Sequence, residues 1–153
     1  MFSDLLEIHK RLEEALLKHQ KLLLHFEFDA ALDALCEYEQ QILAHMADEE
    51  TLMLPIYSER GEIQRSGSVK SFLDDHDKLR EHLTLFKQEV AKLKDEDDPD
   101  SRIIWLFGRE AFFKKLNDHH DIRETNFLYP ELDRITTDAE KAEIFSRLTC
   151  DLS

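Results

Sequence analysis

Two stretches of the chain carry the same spaced chemistry. HMADEETLMLP, residues 45–55, and HHDIRETNFLYP, residues 119–130, each hold a histidine, a glutamate four residues later and a proline six beyond that: His45, Glu49, Pro55 and His120, Glu124, Pro130. At i and i+4 on a helix, an imidazole and a carboxylate share one face and can reach the same metal ion or two neighbouring ones. A second echo runs through the chain: LLEIHKRLEEAL around His9 matches FLDDHDKLREHL around His76 in its apolar, His, Leu and Glu positions. The chain reads as two helical hairpins, each delivering a His and then a His-x-x-x-Glu.

Four imidazoles and two carboxylates are too many donors for one tetrahedral zinc. They are too rich in nitrogen for calcium or magnesium, whose ligands are oxygens. Two first-row ions roughly 3.5–4 Å apart, bridged by the carboxylates, would use every donor. Iron or manganese matches best. The competing reading is that of ordinary core or surface histidines, which a lone His on an apolar stripe usually is. Six such groups, two of them glutamates that need partners when buried, weigh against it.

Positioning these groups requires helices. With 3 glycines and 3 prolines in 153 residues, and abundant Leu, Glu, Lys and Ala, the chain is written for an all-α fold. Ser3 is expected to cap a first helix to about His25, with Leu5, His9, Leu12, Leu16, His19, Leu23 and Phe26 inward. Asp29 opens a second with Tyr38, Ile42, His45, Glu49, Leu52 and Ile56 inward. A third spans about Ser68 to Lys94, presenting Val69, Leu73, His76, Leu79, Leu83, Phe86, Val90 and Leu93. Ser101 opens a fourth with Leu106, Phe113, Leu116, His120, Glu124 and Phe127, and the prolines read as helix-ending marks. Thr137 with Glu140 forms a capping box for a short fifth helix over Asp138 to Leu148. The expectation is a single domain over 1–153, an antiparallel up-down-up-down four-helix bundle with that fifth helix appended.

Heights along the bundle give a test. In an antiparallel pair, residues equidistant from the turn are level, because both helices rise about 1.5 Å per residue. The mirror point of His9 and His45 is residue 27, that of Glu49 and His76 lies beside Gly61, and that of His76 and His120 is Asp98; each falls in a segment composed for a turn. The six residues therefore share one layer. His19 fails the same test and is expected one layer away, in the core or partly exposed. His25 and His82 read as surface or capping groups, and His119 points about 100° away from His120.

The formal charge of −14 would repel a nucleic-acid backbone or an anionic membrane surface, so neither is an expected partner. Cys36 and Cys150 form no zinc spacing or disulfide framework and read as free thiols. No leader or membrane span is evident, and a cytoplasmic protein is expected.

At His9 in EIHKRL, HMADEETLMLP, His76 in DDHDKL and HHDIRETNFLYP, the chain resembles the hemerythrin-like, or HHE cation-binding, family over nearly its whole length. The resemblance implies a four-helix bundle around an oxo- or hydroxo-bridged pair of iron ions, with manganese or zinc as alternatives. His9, His45, His76 and His120 would be terminal ligands, and Glu49 and Glu124 the bridges. Oxygen-carrying members have another histidine one turn after the third-helix ligand, where this chain has Arg80, and a fourth-helix Asp at longer spacing, where it has Glu124. One fewer imidazole opens more than one position and disfavours reversible oxygen carriage. The pattern is more similar to iron- and oxygen-sensing or stress-related members.

Three functions follow as expectations: binding of two irons to sense or handle iron, dioxygen, peroxide or nitric oxide; a peroxidase-type enzyme; or a helical regulatory module contacting a protein, for which Trp105, Phe112 and Tyr129 are the candidate aromatic anchors, core packing being the expected role for most of them. Arg80 is expected to offer a hydrogen bond to an anionic ligand, and Glu7, Asp48, Asp75 or Asp118 to support the imidazoles.

Overall fold

The computed structural model describes residues 1–150, so the last three residues of the expected domain lie outside the described residues. Helix α1 spans Leu6–Leu24 after a 3-10 turn at Phe2–Leu5. Helix α2, Phe28–Asp48, passes through a π-helical turn at Glu49–Met53 into α3, Leu54–Arg60. Helix α4 covers Val69–Lys92; α5, Pro99–Arg123, passes through a second π turn at Glu124–Leu128 into α6, Tyr129–Ile135, and α7 is Asp138–Ser146. Among the described residues there is no strand. α1 packs on α2, α2 on α4, α4 on α5 and α5 on α1, which closes the expected all-α bundle of four rods.

The turns at 25–27, 61–64 and 96–98 contain all three mirror points, so the heights deduced from spacing hold. Between the site and the turns at 25–27 and 96–98 the interior is mainly apolar, built from Leu12, Leu16, Leu35, Ile42, Leu79, Leu83, Phe86 and Phe113, and on the other side of the site Phe2, Leu5, Met53, Phe72 and Leu132 fill it. Phe113 stacks edge-on against both Tyr38 and Phe86, at 6.2 and 5.5 Å between ring centres. Each such side chain removed from water stabilises the fold by about 1.5–3 kcal/mol.

Several local expectations need correction. Ser3 lies inside the 3-10 turn, where Asp4 instead pairs with the terminal ammonium at 3.0 Å. Helix α2 starts one residue before Asp29. Ser101 is not the cap of α5; Asp98 is, accepting from the Ser101 amide at 3.3 Å, because Pro99 prefers the first helical position. Ser68, the expected start of the third helix, is the cap of α4, and the Thr137–Glu140 box caps α7 as read, though α7 stops at Ser146. Phe26 leaves the inward stripe because its backbone is left-handed (φ 55°) in the α1–α2 turn, and it is 53 % exposed. Leu73 is also outward, with Phe72 filling the interior in its place.

The largest departure is at the prolines. Neither ends a helix: Pro55 and Pro130 sit in the first turns of α3 and α6, just after the π turns. A proline has no amide hydrogen, so one carbonyl a turn earlier already lacks its partner and the ladder widens there at reduced cost. One extra residue in the turn rotates everything after it by about 100°. That is why Leu52, Ile56 and Phe127 are only partly buried, while Met53, Leu54, Tyr57, Leu128 and Tyr129 take the interior.

Candidate metal centre

The structure brings all six residues singled out by spacing into one buried layer: His9 from α1, His45 from α2, His76 from α4, His120 from α5, and Glu49 and Glu124 from the first residues of the two π turns. Both glutamates and His76 are wholly buried. They divide into two clusters, His9, His45, Glu49 and Glu124 on one side and His76, His120, Glu49 and Glu124 on the other, each with donor atoms within 4.8 Å of one another.

The glutamates are common to both. Glu49 sets Oε1 2.6 Å from His45 Nε2 and Oε2 2.9 Å from His76 Nε2. Glu124 sets Oε2 2.9 Å from His9 Nε2 and Oε1 2.6 Å from His120 Nε2. Within each side the imidazoles face each other through Nε2, 3.1 Å apart for His9 and His45 and 3.2 Å for His76 and His120. Among the described residues, the Oε1 atoms of Glu49 and Glu124 have no hydrogen-bond partner despite these close approaches. Buried polar atoms are rarely left so, because an unpaired one costs about 1–3 kcal/mol. Lone pairs converging on a shared point, rather than on each other, fit a positive ion on each side.

Electrostatics in the metal-free protein point the same way. Burial opposes charge on the Glu49 carboxyl, yet His45, His120 and His76 hold it well below the usual range. For Glu124, burial and the nearby Glu49 oppose ionisation, and His120 and His9 override them. Burial likewise works against a charged His45 ring, but Glu49 raises its pKa to about 9. His120 is raised for the same reasons, with burial opposed by Glu124 and Asp75. Protons occupy the place that metal charge would take.

Outside this layer, His76 Nδ1 donates to Glu50 Oε1 at 2.8 Å and His120 Nδ1 to Asp75 Oδ2 at 3.1 Å. Such bonds fix the ring so that the Nε2 lone pair faces inward. Arg80 and Arg123 grip these same carboxylates, Arg80 Nη2 donating to Glu50 at 2.8 Å and Arg123 to Asp75. Arg80 therefore positions Glu50 rather than facing a ligand in the site. His9 Nδ1 has no hydrogen-bond partner among the described residues and lies 3.4 Å from Asp121 Oδ1, whose carboxyl burial pushes up to about 7. Of the four acids expected to support the imidazoles, Asp75 alone is seen to do so. Glu7 and Asp118 are exposed, and Asp48 is buried at the α2 end, holding the Thr149 and Cys150 amides at 3.0–3.1 Å.

Tyr129, one of the three candidate anchors, is core, as expected for most of them, and is 1 % exposed inside the site. Its hydroxyl donates to Glu124 Oε2 at 2.6 Å and lies 3.3 Å from His9 Nε2. The π turn accounts for this: its amide bonds run from i+5 to i, as from Tyr129 to the Glu124 carbonyl, so the residue above Glu124 is Tyr129 and not Leu128. Trp105 and Phe112 are exposed at 40 % and 53 %. His19 is core, its Nδ1 2.9 Å from the Ala31 carbonyl and its Nε2 3.1 Å from Glu110, a buried partner the sequence reading passed over. His25 and His119 are exposed, and His82 is half-buried against Phe86 and Phe112.

The family model described as the Hemerythrin HHE cation binding domain matches residues 1–128. No curated protein and no solved structure matches the chain.

Proposed function

We propose, from the premise that this chain belongs to the hemerythrin HHE cation-binding family, that the cation it binds is a pair of iron ions. His9 and His45 would hold one, His76 and His120 the other, and Glu49 and Glu124 would bridge them. The supporting observation is that each glutamate divides its two oxygens between the two imidazole pairs. Manganese or zinc would find the same donors, but six donors of mixed imidazole and carboxylate type around two positions suit iron.

We read the protein as a sensor or handler of iron, dioxygen, peroxide or nitric oxide. When bound, the iron pair supplies one-electron redox change and coordination positions for a small ligand. The chain's own residues do the rest. Glu50 and Asp75 keep protons on the outer nitrogens of His76 and His120, leaving Nε2 as donor. Phe72, wholly buried and edge-on to His120 at 5.9 Å, closes that side to water. Arg80, one turn beyond His76, is 36 % exposed at its side chain and tied to Glu50, so no fifth imidazole completes the set. That favours sensing or redox handling over reversible oxygen carriage.

The test is anaerobic reconstitution with ferrous iron, metal analysis and an absorption spectrum after air oxidation. Two irons per chain and near-ultraviolet charge-transfer bands that shift with azide are expected. Fewer than two irons per chain, with the protein folded, would sink the proposal.

A further inference from the structure

The geometry points to Tyr129 as a fifth protein donor on one side only, so that the two iron positions are chemically unequal. This rests on the di-iron reading above and adds a ligand to it. With metal–donor bonds of about 2.1 Å, adjacent donors of an octahedron stand roughly 3 Å apart and opposite ones about 4.2 Å. On the His9 side, the spacings fall into these two groups. His9 Nε2 is 3.1 Å from His45 Nε2 and 2.9 Å from Glu124 Oε2, and His45 Nε2 is 2.6 Å from Glu49 Oε1, all adjacent spacings. His45 Nε2 and Glu124 Oε2 are 4.0 Å apart, an opposite spacing. The Tyr129 hydroxyl, 2.6 Å from Glu124 Oε2 and 3.3 Å from His9 Nε2, occupies a further corner beside both.

The internal repeat shows how this inequality is built. Leu54 follows Glu49 by five residues and precedes Pro55, as Tyr129 follows Glu124 and precedes Pro130. Both are lifted over their glutamates by a π turn, and both are buried, at 3 % and 1 % exposure. One hairpin therefore offers a hydrocarbon at this point and the other a phenol. On coordination the Tyr129 O–H bond is replaced by an O–Fe bond and the proton leaves to solvent, while Glu124 keeps its bridging oxygens. The exogenous ligand is then directed to the iron held by His76 and His120, which has more open positions.

The full-length protein loaded with ferrous iron and oxidised in air provides the test, read by visible absorption and resonance Raman spectroscopy. A tyrosinate-to-iron(III) band in the visible is expected, with tyrosinate ring modes enhanced on excitation within it. The modes shift when the protein carries ring-deuterated tyrosine. Tyr129→Phe, and Tyr129→Leu, the residue of the other hairpin, should lose band and modes while keeping two irons and the near-ultraviolet bands. Tyr38 and Tyr57, the only other tyrosines, would be unaffected. Two irons in the wild type without tyrosinate modes would overturn the inference and leave the di-iron reading standing. Retention of the modes in Tyr129→Phe would also overturn it. Failure of the wild type to take up two irons would overturn both.

Discussion

Glu49 and Glu124 meet at the centre of the bundle, and each turns one carboxylate oxygen to the His9–His45 pair and the other to the His76–His120 pair. Among the described residues, no other touches both sides this way. A change at either glutamate should therefore be felt by two ions, and a change at one histidine mainly by one.

Stoichiometry tests this division. Glu49→Gln and Glu124→Gln should each fall well below two irons per chain, because an amide nitrogen replaces one of the two bridging oxygens. His9→Ala should keep about one iron, held by His76, His120 and the carboxylates. Equal losses in all three variants, measured by metal analysis on folded protein, would contradict the shared-bridge arrangement.

The outer hydrogen bonds give a graded effect. Glu50→Gln and Asp75→Asn weaken the acceptors for His76 and His120 Nδ1. Each should lower metal affinity about 10–100-fold without changing the ligand count. Competition with a chelator checks this, and unchanged affinity in both variants would count against the role assigned to them.

Much of this was legible in the sequence. The i, i+4 pairs and the mirror points depend only on the regular rise and turn of a helix, so the six donors and their common height followed from spacing. What spacing missed began at Glu49 and Glu124, where the helices leave 3.6 residues per turn. Leu52, Ile56 and Phe127 were misplaced, and Tyr129 was not placed in the site, because an extra residue is invisible to a periodicity that assumes none. The available signal was Pro55 and Pro130, each followed by residues such as IYSER and ELDRI that still read as helix. A proline within a continuing helix marks a kink or π turn rather than an end. Glu50 and Asp121 were passed over because support for an imidazole depends on side-chain direction, which the stripe pattern does not resolve.

Metal binding should release protons and strengthen with pH. In the metal-free protein the His45 ring has its pKa raised from 6.5 to about 9, and those of His9 and His120 are raised as well. The ion-pair stability they supply is fully present below pH 6.5 and is lost as pH rises through about 9 for His45. Metal competes with those protons, so the rise in Tm on metal addition should grow between these limits. At a free metal concentration of a hundred Kd the gain is roughly 2.7 kcal/mol, or about 5–10 °C. A metal-induced shift independent of pH, or one that shrinks as pH rises, would contradict the exchange.

The turn at Arg65–Gly67 braces the second π turn. A Cβ on Gly67 would stand 2.6 Å from Phe127 Cβ and 3.0 Å from the Tyr57 hydroxyl, which donates to the Gly67 carbonyl. Gly67→Ala should therefore cost about 1–3 kcal/mol. The denaturation midpoint reads it directly, and an unchanged midpoint would show that Phe127 gives way freely.

The central claim is that two irons share Glu49 and Glu124. A crystal structure of the iron-loaded protein, with anomalous difference maps at the iron edge, tests it most directly. The account predicts two peaks roughly 3.5–4 Å apart, one at each imidazole pair, with both carboxylates bonded to both. A single peak, or two peaks with each glutamate bound to only one of them, would contradict it.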